Sequence, residues 1–364
     1  MAAITTSYKL QGKKESVTDE ILLLNPNQTP LLNLVGFAQP ATNTTHVWYE
    51  DEMFATTTTL TAALTDSATS VKVASVEPFV VNAVAQIDEE LVLVTAIDEG
   101  TKTLTITRGY ADSTPQSAEN GAEIEFQFVE GEEGQDAQKA RYKARARQDN
   151  YTQIFMDSIE VSGSALSVDQ YGVSDLYAYE KAKKQLELAL QLEKALISGR
   201  KFDNGKVRQM AGLRQFINTN VVVAKGQSVS INILRDVTKS IFEKGGFANG
   251  GNYAFMVPAK QKVAISDLQN DKLRITQGET SRGQKVDMVV TDFGQFPIVL
   301  NNNLKNDEVL FVDTDRIKIR PLNDRGFSHV EQGIVGDKQA GFIVGEYTLE
   351  LQQEQAHARI KGLA

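Results

Sequence analysis

The sequence predicts an α+β chain organised around one long helix, with a small all-β domain inserted ahead of that helix. Three observations carry the prediction. From Ser174 to Ser198 one uninterrupted helical pattern runs until Gly199 closes it. Between about Ala55 and Phe128 the chain is threonine-rich and acidic, in short alternating runs such as SVKVAS, ELVLVTAI, TLTITRGY and AEIEFQF. Residues 213 to 320 then alternate helical and strand patterns, as a mixed α/β domain does.

At 364 residues the chain exceeds the usual size of a single core, so two or three domains are expected. An apolar content of 41% argues against global disorder. There is no cysteine, which excludes disulfides, thiolate metal sites and thiol nucleophiles, and fits folding in a reducing cytoplasm. The opening MAAITTSYKLQGKKESVTDE lacks the apolar core of a secretory signal. No apolar run approaches the ~20 residues that cross a bilayer, so no membrane partner is expected. The net charge of −9 disfavours sequence-reading nucleic-acid binding, which leaves a basic footprint.

Residues 1 to 36 read as an arm with two short helices. The first, DEILLLNPNQ, stops at Asn25-Pro26. In the second, Thr29 and Pro30 supply an N-cap and a first helical residue, and Gly36 ends LLNLV. Leu22, Leu23, Leu24, Leu31 and Leu32 are too many large apolar groups for a free tail. They require a partner surface, in this subunit or the next. NTTHVWYEDEMF, residues 43 to 54, is a strand candidate holding the only tryptophan, Trp48. The closely spaced strands of 55 to 128 suggest a small β-barrel or sandwich. That block has eleven acidic residues against three basic ones, nearly the whole net charge of the chain. It reads as a self-contained domain facing solvent.

Beyond EGEEGQ, Lys139, Arg141, Lys143, Arg145 and Arg147 occupy every second position. On an extended strand all five share one face. As a solvated face they would contribute little individually. Five like charges on one face repel, however, unless something negative lies opposite. The counter-surface is expected on a neighbouring subunit, with packaged nucleic acid as the other option.

The helix capped by Ser174 spans roughly 36 Å at 1.5 Å per residue. Leu186, Ala189, Leu190 and Ile197 lie along one side; Leu188, Leu192, Ala195 and Leu196 lie along another. A helix apolar on two sides is expected between two layers. Ser230 then precedes a helix with Leu234, Val237 and Ile241 inward, and Pro258 opens another after the strand YAFMV. VDMVVTDF, PIVLNN, EVLFVD and RIKIR read as strands, and GFIVGEYTLELQQEQAHARIKGL as a long C-terminal strand or strand pair.

No catalytic, cofactor-binding or metal-binding residue emerges. His46, His329 and His357 are isolated, without a second ligand at metal spacing. Asp292-Phe293-Gly294 imitates the magnesium tripeptide of protein kinases, but the Gly-rich loop and the His-Arg-Asp are missing. GGFANGG lacks the Gly-Lys-Ser/Thr of a phosphate loop. Asp88-Glu89-Glu90 lacks the spacing of a calcium loop, and no Gly-x-Ser-x-Gly elbow is present. The expectation is a protein that is not an enzyme and has no cofactor.

The order of parts resembles the major capsid proteins of tailed bacteriophages, whose fold is shared with herpesvirus shell proteins. DEILLLNPNQTPLLNLVG in the arm, HVWYEDE and NYTQIFMDSIEVSGSA around the insertion, RQMAGLRQFINTN after the long helix, and GEYTLELQQEQAHARIKGL at the end look like one phage major head protein family. The resemblance implies an N-terminal arm (1–36) and an extended β-loop (37–54 and 129–165) carrying the inserted domain (55–128). It also implies a peripheral domain with the spine helix (166–212 and 321–364) and an axial domain (213–320). Subunits would form pentamers and hexamers of an icosahedral head enclosing double-stranded DNA, with portal, scaffold or decoration proteins as further partners. The protein would reside in the virion and assemble in the host cytoplasm. Alternatives are a cellular nanocompartment shell, a phage tail or baseplate protein and, less favoured, a carbohydrate-binding protein or enzyme carrying the β-insertion.

Overall fold

The computed structural model describes residues 29–131, 133–134, 140–168, 173, 175–247, 250–268, 277–278 and 286–364. Two compact units divide the chain: Tyr49–Ala146, and Arg147–Ala364 together with the segment up to Trp48. Helix α1 (Pro30–Val35) and strand β1 (Thr45–Glu50) come first.

The inserted unit is built from β2 (Thr57–Thr59), β3 (Ser70–Lys72), β4 (Ala83–Ile87), β5 (Glu90–Asp98), β6 (Thr103–Thr107) and β7 (Glu123–Val129). These form one antiparallel sheet in the order β2-β7-β4-β5-β6-β3. A bridge between Leu60 and Val73, with Thr61 N–H on Lys72 O and Ala74 N–H on Thr59 O at 2.9 Å each, joins the two edge strands. The sheet therefore closes on itself, a barrel and not a sandwich. Closure removes the open edges that a six-stranded sheet would otherwise expose. Along β6 the alternation is plain: Leu104 and Ile106 are buried, whereas Thr105 and Thr107 face outward. Threonine supplies β-propensity on the wet side, and valine, isoleucine and leucine fill the interior. The compact unit is wider than 55–128 because the segments 49–54 and 140–146 join it.

The chain returns along β8 (Ala146–Tyr151), which pairs with β1. Next come β9 (Gln153–Ser162), the short α2 (Gly163–Ser167) and the spine α3 (Leu176–Ser198). A hairpin of β10 (Phe202–Asp203) and β11 (Arg208–Gln209) precedes α4 (Leu213–Phe216).

Two sheets organise this larger unit. One is centred on the fourteen-residue β20 (Lys338–Leu351), which pairs antiparallel with β9, β19 (Ser328–Ile334) and β18 (Ile317–Pro321). Helix α3 packs on it, burying Leu188, Leu192, Leu196 and Ile197 in one core with Phe155, Ile159 and Ile343. The other sheet has seven strands. Its order is β12 (Val221–Val223), β21 (Ala358–Lys361), β17 (Glu308–Asp313), β13 (Tyr253–Val257), β16 (Gly294–Leu300), β15 (Val286–Thr291) and β14 (Gln277–Gly278). Helix α5 (Ile231–Glu243) buries Leu234, Val237 and Ile241 in the core of this sheet, and α6 (Ala259–Asp267) adds Ile265. Ser230 caps α5 by accepting the Ile233 N–H.

Three expectations are corrected. The spine's cap is Asp175, whose side chain accepts the Ala178 N–H; Ser174 lies outside the described residues. The spine is buried on two sides only in its C-terminal part: Ile197 and Glu193 are fully buried there beside Leu192 and Leu196, whereas Leu186 is exposed and Leu190 half-buried, so the N-terminal part buries only the face of Leu188. Finally, the predicted partition near residue 320 does not follow the sheets. RIKIR (β18) belongs to the sheet under the spine, and β21 crosses back to lie between β12 and β17 of the seven-stranded one. Backbone pairing decided both, which side-chain pattern does not report.

Candidate assembly interface

Helix α1 is the described part of the N-terminal arm, and it is held from the spine. Thr29 occupies the N-cap but makes no side-chain hydrogen bond. Its role passes to Glu193 of α3, whose carboxylate accepts the N–H groups of Leu31 and Leu32, each at 3.0 Å. Asn301 Nδ2 donates to the same carboxylate at 2.8 Å. Burial pushes the Glu193 pKa up, and the three hydrogen bonds only partly offset that push. Such a carboxylate satisfies backbone donors that a helix start otherwise leaves unpaired. Leu31 is fully buried in the spine's core, and Leu32 packs half-buried against it. Both leucines are thus used within their own subunit, a correction to the inter-subunit role expected of them: the second arm helix has a local core. Leu22 and Leu23 lie outside the described residues.

The basic stripe also departs from expectation. Lys139 lies outside the described residues, residues 140–145 belong to no strand, and β8 starts only at Ala146. Opposite charges are supplied by the same unit. Lys143 Nζ lies 2.9 Å from Glu77 and 3.5 Å from Glu52, and Arg145 Nε lies 3.3 Å from Asp51. The Glu77 carboxylate beside it raises the Lys143 pKa. Arg141 stacks 4.4 Å above the Phe54 ring and donates from Nη1 to the carbonyls of Glu77 and Pro78. The repulsion that called for a neighbouring subunit is therefore relieved inside the inserted unit. Arg147, on β8, is exposed.

Under the free face of β20 sits a buried ionic layer. Glu346 and Glu350 lie four residues apart on one strand face, and both are nearly fully buried. Glu346 accepts from Thr152 Oγ1 at 2.5 Å and pairs with Arg208 at 2.9 Å and Arg325 at 3.1 Å. Glu350 meets His46 Nε2 at 2.7 Å, Arg320 at 2.5 Å and Gln352 at 2.5 Å. Burial alone would raise the Glu350 pKa, but these hydrogen bonds outweigh it and hold the carboxyl at about 2. On the seven-stranded sheet, Glu308 is similarly gripped by Arg214 at 2.6 Å and Arg359 at 2.5 Å. The layer ties β1, β11 and β18 to β20.

Further along the same face the sheet is open and apolar. Ile154 and Met156 of β9 are exposed. Met156 pairs with Val344, Ser158 pairs with Phe342, and Phe342 pairs in turn with the exposed Val330. A contiguous apolar face on a folded unit marks a protein contact surface. Among the described residues, no group of three or more histidine or carboxylate side chains is placed to hold a metal ion. No described helix is long and apolar enough to cross a membrane.

A family model described as SU10 major capsid protein matches residues 4–364. The chain belongs to that family. Among solved structures, the capsid of an empty GTA particle aligns over 100% of both chains with a TM-score of 0.52 at 10% identity. The capsid of a native GTA particle aligns over 98% of this chain and 97% of its own, with a TM-score of 0.50 at 10% identity. At such identity the likeness shows the fold: this is the α+β capsid fold. No curated protein matches.

The protein is a major capsid protein, a structural subunit that forms a shell with copies of itself, and its fold implies pentamers and hexamers. Sequence reasoning missed the residues that hold this capsid subunit together. Sequence analysis assigned no role to Glu193, Glu308, Glu346 or Glu350. The available signal was GEYTLEL, where acids alternate with large apolar residues on a strand too apolar to be a surface edge.

Proposed function

We propose that this capsid protein builds the icosahedral head of a tailed phage and encloses double-stranded DNA without reading its sequence. The single observation that carries the reading is a capsid family match running from residue 4 to the last residue. The seven-stranded sheet with α5 and α6 would converge at capsomer centres, while the N-terminal arm and the extended loop would lie across neighbours. The open face of Ile154, Met156, Phe342 and Val344 is the contact surface offered to those neighbours. The acidic barrel would project outward. Scaffold, portal or decoration proteins are the further partners, and assembly would take place in the host cytoplasm. Many weak contacts repeated over a closed symmetric shell supply stability through multiplicity.

The test is negative-stain electron microscopy with light scattering on the protein expressed alone and co-expressed with a candidate scaffold protein from the same genome. Closed shells, or rings of five and six subunits, are expected in at least one condition. A strictly monomeric protein in both would refute the reading. DNA protected from nuclease inside particles recovered from infected cells would support the packaging role, and its absence would overturn that part.

A further inference from the structure

We propose that the inserted barrel carries a binding groove for a neutral oligosaccharide. A groove of about 800 Å³ opens on this unit, between the barrel and the returning segment at Arg141 and Tyr142. That volume is within the range of small-ligand sites, which pair apolar walls with a few placed polar groups. Tyr142 is 83% exposed, so its ring is uncovered on the groove. A large aromatic ring left open to water beside a cavity is a stacking platform for the apolar face of a sugar ring.

Several polar groups of the groove lack a partner among the described residues, and they are of both signs. Arg141 lies flat on Phe54 with only Nη1 engaged, which leaves Nε and Nη2 without a partner among the described residues. Its planar fork is thereby fixed in advance, which lowers the entropy lost on binding. The side chains of Asn82, Glu99 and Lys102 also line the groove and have no partner among the described residues. Glu77 is neutralised by Lys143. What remains is an amide, a carboxylate, a guanidinium and an ammonium along the groove that Tyr142 also lines. A polyanion would meet Glu99 and the acidic surroundings; a polycation would meet Arg141 and Lys102. A neutral polyhydroxyl ligand uses all four, because planar amide, carboxylate and guanidinium groups each bridge adjacent hydroxyls. The inference rests on the shell reading in one respect: a shell displays many copies, so weak single-site binding is amplified by avidity.

The experiment probes the full chain, unassembled and as particles, on an array of neutral and acidic glycans that also carries a synthetic peptide of residues 17–28, and then by saturation-transfer NMR with each bound trisaccharide. At least one neutral glycan is expected to bind the unassembled chain, with affinity lost at least tenfold in Tyr142→Ala and in Glu99→Ala. Both changes are at exposed positions or on the groove wall, and an unaltered thermal melt confirms the fold. No bound neutral glycan, or binding that both variants retain, overturns the proposal. Binding confined to acidic glycans, or to a synthetic peptide of residues 17–28 in place of sugar, overturns it as well. Sugar binding by the unassembled chain that disappears in particles upholds the groove and refutes only the outward placement of the barrel.

Discussion

Removing the Glu193 carboxylate should release the N-terminal arm from the spine. In Glu193→Ala three donors lose their acceptor: the N–H groups of Leu31 and Leu32 and the Asn301 amide. Two of these bonds are buried, and each orphaned buried donor costs about 1–3 kcal/mol. With the vacated space added, a loss of about 3–6 kcal/mol follows. Glu193→Gln keeps an oxygen for Leu31 and Asn301 and sets its amide against the Leu32 N–H, at a cost of about 1–3 kcal/mol. Trp48 is the only tryptophan; it is nearly buried and 5.9 Å from the Phe216 ring, so its fluorescence reports urea unfolding of this unit. Hydrogen exchange at the Leu31 and Leu32 amides should accelerate in parallel. The pH dependence is a second readout. Burial raises the folded pKa of Glu193 above its ordinary value, so the native state holds the proton more tightly. Its contribution is therefore most favourable below the ordinary carboxylate pKa and falls as pH rises through the folded value. Glu193→Gln should lack that slope. An alanine variant within about 0.5 kcal/mol of the parent, with unchanged exchange at Leu31 and Leu32, would refute the latch.

Other outcomes follow from the same chemistry. Glu350 is held at about 2 instead of 4.5, so its roughly 3 kcal/mol of stability is present above pH 4.5 and lost as pH falls towards 2; Glu350→Gln should flatten acid denaturation there. Arg108→Met leaves Glu90 buried without the cation that pairs with it at 2.6 Å, and should cost the barrel about 3–5 kcal/mol in calorimetry. Gly341→Ala would set a Cβ 2.1 Å from Tyr177 Oη and 2.9 Å from His329 Nε2, so loss of soluble protein or a melt lowered by several degrees is expected. Reversing Arg141, Lys143 and Arg145 to Glu sets them against Asp51, Glu52 and Glu77, and should lower the melt of the inserted unit before it affects assembly. Failed shells with an unchanged melt would return those charges to a docking role.

The sequence alone determined the long helix, the α5 helix behind Ser230, the β-insertion and the order of parts that marks a capsid subunit. Those features are local. Periodicity, capping residues and glycine stops act within one or two turns of chain, so they are legible without tertiary contacts. Tertiary structure alone decided whether the insertion closes, since one bridge between Leu60 and Val73 separates a barrel from a sandwich. It also decided where β18 and β21 pair, because register between distant strands depends on partners that a single strand's pattern does not name. The partner of Lys143 was misread, and that of Glu193 left unread, for the same reason. Whether Lys143 faces a neighbour or Glu77, and whether Glu193 is wet or caps a distant helix, depends on residues about 66 and 162 positions away. Alternation tells which residues share a face; only the folded chain tells what that face meets.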